Sequence, residues 1–251
     1  MLLTDTHCHL NSPQFAGRVG EVLARAADAG VGEIVVPGWD AESSRRALAM
    51  SAGYPMLRAA VGLHPWFVVE QPGLDWLPHL LDDPRTQAVG EIGLDGAIDR
   101  DDPVLQEAVF RAQLRLAAAR NLPVLLHCRR RWDRLLACLR EEPRVRGVVH
   151  AFSGSLEVMH DCLALGLYIS FAGMVTRPNS RRAHTAAAAV PADRLLLETD
   201  APYMALEGIP AEQAEPAHLP RILAFIADLR GESPPALANQ IAQNVQALFG
   251  E

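Results

Sequence analysis

Leu2-Leu3-Thr4-Asp5-Thr6-His7-Cys8-His9 is a short apolar run that passes directly into two imidazoles. Read as a strand, it alternates, so Asp5, His7 and His9 share one face. Two imidazoles at i and i+2 can bind one metal, with Asp5 available behind them to orient the rings. Cys8 then faces the opposite way, toward a helix layer, where a thiol packs as a small apolar group.

Working outward, short apolar runs recur near residues 2–8, 33–37, 57–63, 87–92, 123–127, 146–151, 167–172 and 194–199. Most are continuous, such as Ile34-Val35-Val36 and Leu195-Leu196-Leu197, as parallel strands covered on both faces require. Helical patterns with readable ends lie between them. One runs from about Pro13 to Asp28, stopping near Gly30. Another has Asp102 as N-cap and Pro103 at the first helical position, and ends near Asn121. A third starts at Ser155 and stops at Gly166, where glycine suits the left-handed position. Two more cover about 216–230 and 234–249. Eight β/α units in 251 residues predict an α/β fold, a single (β/α)8 TIM barrel over residues 1–251, with its active site at the C-terminal ends of the strands. An open doubly wound sheet is the weaker alternative, because no glycine-rich dinucleotide fingerprint follows the first strand.

Polar, metal-capable residues fall at those ends. Strand 3 ends in Gly62-Leu63-His64-Pro65 and strand 4 in Gly90-Glu91-Ile92-Gly93-Leu94-Asp95. Strand 5 ends in His127, followed by three arginines. Strand 6 reaches His150-Ala151-Phe152-Ser153-Gly154, and strand 8 ends in Glu198-Thr199-Asp200. Burying so many imidazoles and carboxylates together is costly unless a cation compensates them. His79, His160, His184 and His218 lie elsewhere and are expected at the surface. Arg129 can reach the mouth, whereas Arg130 and Arg131 read as solvated. Arg177, Arg181 and Arg182, after strand 7, read either as phosphate contacts or as solvated charges.

Composition narrows the chemistry. All 23 basic residues are arginine, which excludes Schiff-base catalysis, a P-loop lysine and a carbamylated-lysine metal bridge. Thirty acidic residues give a net charge of −7, which argues against a long basic track for duplex nucleic acid but not against a local anion site. The four cysteines form no CxxC pair, so reduced thiols and a cytoplasmic location are expected. No apolar run reaches the length of a membrane span.

Asp5-Thr6-His7-Cys8-His9-Leu10, Gly62-Leu63-His64-Pro65, Gly90 to Asp95, Leu122 to His127, His150 to Gly154 and Glu198-Thr199-Asp200-Ala201-Pro202 together resemble the TatD-like metal-dependent deoxyribonucleases, and within them the YjjV-type bacterial branch. The resemblance runs over nearly the whole chain. It implies that His7, His9, Glu91 and Asp200 hold one divalent ion and that Glu91, His127 and His150 hold a second, with Glu91 bridging. Imidazole and carboxylate ligation suits Mg2+, Mn2+ and Zn2+ alike as the two cofactor ions. The missing lysine agrees, since a strand 4 glutamate can bridge where a carbamylated lysine cannot form. Many members carry an Asn-Glu-Pro-like motif before the C-terminal helices; here Gln213-Ala214-Glu215-Pro216 lacks the asparagine.

The implied activity is hydrolysis at the 3′ ends of single-stranded DNA, or of RNA, by a water activated between two metals. Asp200 would orient that water and accept its proton, with Glu91 as bridge. His64, Arg129 and Ser153 are the candidate phosphate contacts. The net charge suits an end entering a pocket better than a gripped duplex. The expected partner is thus a single-stranded nucleic-acid end, with no membrane and no obligate protein partner. The rival reading is an amidohydrolase-type reaction at the same centre, on a lactone, an amide or an aminoacyl ester.

Overall fold

The apolar runs form eight parallel strands hydrogen-bonded in chain order: β1 (Leu3–Asp5), β2 (Val31–Pro37), β3 (Leu57–Val61), β4 (Thr86–Asp95), β5 (Val124–Arg129), β6 (Gly147–Val149), β7 (Tyr168–Phe171) and β8 (Leu195–Leu197). The computed structural model describes residues 2–71, 73–98, 102–142 and 144–250. Among these, nine α-helices cover the strands: α1 (Val19–Asp28), α2 (Ala41–Gly53), α3 (Leu77–Leu81), α4 (Pro103–Arg120), α5 (Trp132–Glu141), α6 (Leu156–Ala164), α7 (Arg181–Ala189), α8 (Leu219–Arg230) and α9 (Pro234–Phe249). Consecutive parallel pairing with helical crossovers is the TIM-barrel topology the alternation predicts.

Side chains and loops close the ring between β8 and β1. The Thr6 N–H and hydroxyl both donate to the Leu197 carbonyl, at 3.1 and 3.0 Å. The Asp5 carboxylate accepts the Thr199 N–H at 2.9 Å and its hydroxyl at 2.6 Å. The core on both sides of the strands is made of the predicted runs, with Ile34, Val36, Ala60, Val89, Ile92, Leu125 and Val149 fully buried.

Several element boundaries differ from the sequence reading, each for a local reason. The first strand is shorter than 2–8, because beyond Asp5 the bonds are divided among β8, β2 and the loop after β8, and the regular ladder ends. The Cys8 N–H donates to Val35 and the His9 N–H to Ala201, at 3.0 and 2.8 Å. β4 is longer than 87–92, because its register against β5 shifts between Val89 and Ile92 and then resumes to Asp95. The helix expected over 13–28 is split by Gly17 in the left-handed region (φ 77°), leaving a 3-10 turn at Pro13–Phe15 before α1. The helical stretch expected over 216–230 likewise begins as a 3-10 turn at Pro216–His218.

Other ends behave as read. The Asp102 side chain accepts the Leu105 N–H at 2.9 Å, and α4 ends on left-handed Asn121. The Ser155 hydroxyl caps α6. Cys8, Cys128, Cys138 and Cys162 are buried free thiols. Among the described residues no helix is long and apolar enough to cross a membrane.

Candidate metal centre at the barrel mouth

The strand ends converge on Glu91, whose two carboxylate oxygens face different partners. Oε2 lies 3.2 Å from His7 Nε2 and 3.4 Å from His9 Nε2. Oε1 lies 3.0 Å from His127 Nδ1, 2.9 Å from His150 Nε2 and 3.3 Å from His64 Nε2. Asp200 Oδ1 completes the first side, 3.4 Å from His9 Nε2 and 3.9 Å from His7 Nε2. All of these side chains are buried.

Glycines allow the close strand approach behind this cluster. Gly93 has φ 150°, and a Cβ there would sit 1.9 Å from the His127 carbonyl; a Cβ on Gly90 would meet Leu125 Cβ at 2.6 Å. Only glycine lets β4 and β5 lie close enough for Glu91 and His127 to meet. Asp200 itself is left-handed (φ 49°), as is Ala151 (φ 42°) just after His150. Strained non-glycine backbone of this kind persists where its surroundings hold it. Here the Asp200 N–H donates to the His7 carbonyl at 2.9 Å and the Ala151 N–H to Glu198 Oε1 at 2.7 Å.

The donor set fits divalent cations. His7 Nε2 and His9 Nε2 are 3.2 Å apart, and His127 Nδ1 and His150 Nε2 are 3.3 Å apart. Ligands about 2.1 Å from a tetrahedral ion stand about 3.4 Å from one another, which is the spacing seen here. Three sets have ligand atoms within 4.8 Å of one another: His7, His9 and Glu91; His7, His150 and Asp200; and His64, Glu91 and His127.

The electrostatics point the same way. Burial alone would raise the Glu91 carboxyl, but the imidazoles of His150, His64 and His7 hold it well below the usual range. Burial likewise opposes ionisation of Asp200, and His9 leads the groups that keep its pKa low. For His9 burial works against a proton, yet Asp200 and Glu91 push the pKa up to about 9. His150 is raised well above its usual value against burial, by Glu91 and then Glu198. His7 is lowered, chiefly by burial. The cluster thus takes up positive charge around its carboxylates, the role a bound cation would fill.

His64 differs from the other imidazoles. Its Nδ1 accepts the Trp66 backbone N–H at 3.2 Å, which leaves Nε2 as the protonated nitrogen of the neutral ring. Burial first, against the pull of Glu91, lowers its pKa to about 4. Arg129 lies half-exposed at the rim, 3.5 Å from Asp95, and Ser153 is exposed. Both line a cavity of about 970 Å³ over the cluster, as do Arg181 and Arg182.

The expectations for Asp5, His184 and His218 need correction. Asp5 does not touch either imidazole; its oxygens are taken by Thr199 and by the His7 backbone N–H, so it locks the β8–β1 seam. His184 and His218 are half-buried, donating to or capping local backbone, while His79 and His160 are exposed as expected. The segment lacking the family asparagine faces the helix layer, where Glu215 accepts two hydrogen bonds from Arg25 at 2.9 and 2.8 Å.

Two further residues complete the centre. Asp95 Oδ2 lies 2.9 Å from His127 Nε2, and Glu198 Oε1 lies 3.3 Å from His150 Nδ1. The signal for both was alternation, since Asp95 shares a face with Glu91, as Glu198 does with Asp200.

A family model described as TatD related DNase matches residues 4–250. The chain is 40% identical over 252 residues to the uncharacterized metal-dependent hydrolase YjjV of Escherichia coli (strain K12), covering 98% of this chain and 96% of that protein. It is also 40% identical over 262 residues to the 3′-5′ ssDNA/RNA exonuclease TatD of Klebsiella pneumoniae (strain 342), covering 98% and 97%. The crystal structure of the Escherichia coli YjjV TatD homologue superposes with a TM-score of 0.95 at 38% identity, covering 99% of this chain and 98% of that one.

Proposed function

The chain belongs to the TatD-related DNase family, and from that premise we propose that it is a two-metal hydrolase that shortens single-stranded DNA, or RNA, from the 3′ end. The observation that carries the proposal is Glu91, one buried carboxylate with each oxygen turned to a different group of imidazoles. In this reading His7, His9, Glu91 and Asp200 hold one divalent ion, and Glu91, His127 and His150 hold the other. Imidazole and carboxylate donors suit Mg2+, Mn2+ and Zn2+. When bound, two such ions would lower the pKa of a water toward neutral and offset the charge that develops on the oxygens of a phosphodiester.

The protein's own groups do the rest. Asp200, a buried carboxylate at the edge of the cluster, would accept the proton of the attacking water. His64 keeps its Nε2 proton and donates toward the scissile phosphate, and Arg129 and Ser153 contact phosphate oxygens from the rim. A cavity of about 970 Å³ on a chain of net charge −7 suits a strand end rather than a duplex. The single barrel domain acts without an obligate protein partner, and four buried free thiols support a reducing, cytoplasmic setting.

The test uses protein stripped of metal and reloaded with Mg2+, Mn2+ or Zn2+ singly, then given 3′- or 5′-labelled single strands. The proposal expects metal-dependent loss of the 3′ label first. It also expects at least a hundredfold slower cleavage by Glu91→Ala and Asp200→Asn. Unchanged cleavage by either variant would remove these residues from the mechanism.

A further inference from the structure

Large apolar side chains that stand exposed are few among the described residues, and three of them, Trp66, Met174 and Tyr203, line the same cavity over the metal centre. Trp66 is 50% exposed. An aromatic ring left half in water beside a catalytic centre loses burial energy that a ligand surface would recover.

The ring is also held in place. Its indole Nε1 donates to Asp95 Oδ2 at 2.7 Å, the same oxygen that lies 2.9 Å from His127 Nε2. Asp95 Oδ1 is fixed by the Ala97 N–H at 2.8 Å. The His64 ring meets the indole edge to face, with centroids 5.1 Å apart and planes at 90°. His64 in turn lies 3.3 Å from Glu91 Oε1. The indole is therefore tied on one edge to the second imidazole group of the centre, while much of its surface opens into the cavity. Tyr203 packs against the His9 ring, with centroids 5.0 Å apart.

We infer that Trp66 is the platform on which the terminal nucleobase of the strand stacks, so that its anchored edge sets the distance from base to scissile phosphate. The inference rests on the nuclease reading and adds to it the recognition of a base at the strand end. Stacking on an aromatic face is indifferent to base identity, so the platform selects for a base rather than for a sequence. The bond to Asp95 makes Trp66 a positioning residue as well, since a tilt of the ring pulls on the carboxylate that orients His127.

The test compares kcat/KM on two single strands, one with an intact 3′-terminal nucleotide and one whose 3′-terminal nucleotide is abasic. Both are measured at saturating Mn2+ with bound metal counted in parallel. Wild-type protein is expected to prefer the intact strand roughly tenfold, the scale of one base on one aromatic ring. Trp66→Ala is expected to lose most of that preference, chiefly through KM. Trp66→Phe keeps a ring but loses the N–H that anchors it and is expected to restore only part of it. A general weakening of the fold slows both strands alike and leaves the preference intact; that outcome overturns the platform, as does a wild-type protein with no preference. Wild-type protein that shortens neither strand overturns the nuclease reading, and the platform with it.

Discussion

Asp95 accepts from Trp66 and faces His127 with one oxygen, and accepts the Ala97 N–H with the other, so its geometry is fully determined by its neighbours. Such partners of metal-binding imidazoles set ring orientation and basicity. Asp95→Asn is therefore expected to weaken metal binding by about 10- to 100-fold, read by competition with a chelating dye, with the fold retained by circular dichroism. His9 makes the pH dependence explicit. Its pKa is pushed up to about 9, against burial, by Asp200 and Glu91. Near pH 7 its nitrogen holds a proton that a cation must displace, so metal affinity should rise with pH toward 9 and fall as pH drops. Titration calorimetry in buffers of different ionisation heat should show protons released on metal uptake at pH 7. Much of this was legible in the sequence, because His7, His9, His64, Glu91, His127, His150 and Asp200 all sit at strand ends. Asp5 was misread because alternation gives the face of a side chain but not which neighbour reaches it first, and here Thr199 does.

At the level of elements, the close approach of β4 and β5 is what brings Glu91 to His127. Gly93 stands at that contact with φ 150°, and an added Cβ would collide with the His127 carbonyl at 1.9 Å. Gly93→Ala is expected to cost on the order of 3 kcal/mol in urea unfolding, and to lower bound metal by moving His127. Strand order and type were readable from the continuous apolar runs, since parallel strands covered on both faces need them. The ends were not. β1 stops at Asp5 and β8 at Leu197 because beyond them the chain leaves the regular ladder: the Thr6 N–H donates to Leu197 at the end of β8, and the Asp200 N–H donates to His7 beyond the end of β1. Which neighbour an extended residue bonds is a tertiary fact that local pattern does not carry. The split of the 13–28 helix was readable in principle, as Gly17 marks it.

For the whole molecule, the proposed metal ligands come from the ends of β1, β4, β5, β6 and β8, so a bound metal would tie together much of the barrel's upper rim. Ligand held at about 100 times its Kd adds about 2.7 kcal/mol to stability. Chelation is therefore expected to lower Tm by about 5–10 °C for a domain this size, reversed by adding the ion back. The net charge of −7 belongs to the same scale: in the proposed function it would keep a duplex at a distance while the arginines at the rim of the mouth received one end. A barrel of this kind does not by itself choose among phosphodiesters, lactones and amides. The most direct measurement is a parallel assay of the Mn2+-loaded protein on 3′-labelled single-stranded DNA and on lactone and amide panels. Stepwise release of the 3′ nucleotide with the panels untouched is the predicted result; turnover of a lactone or amide with the DNA left intact would contradict it.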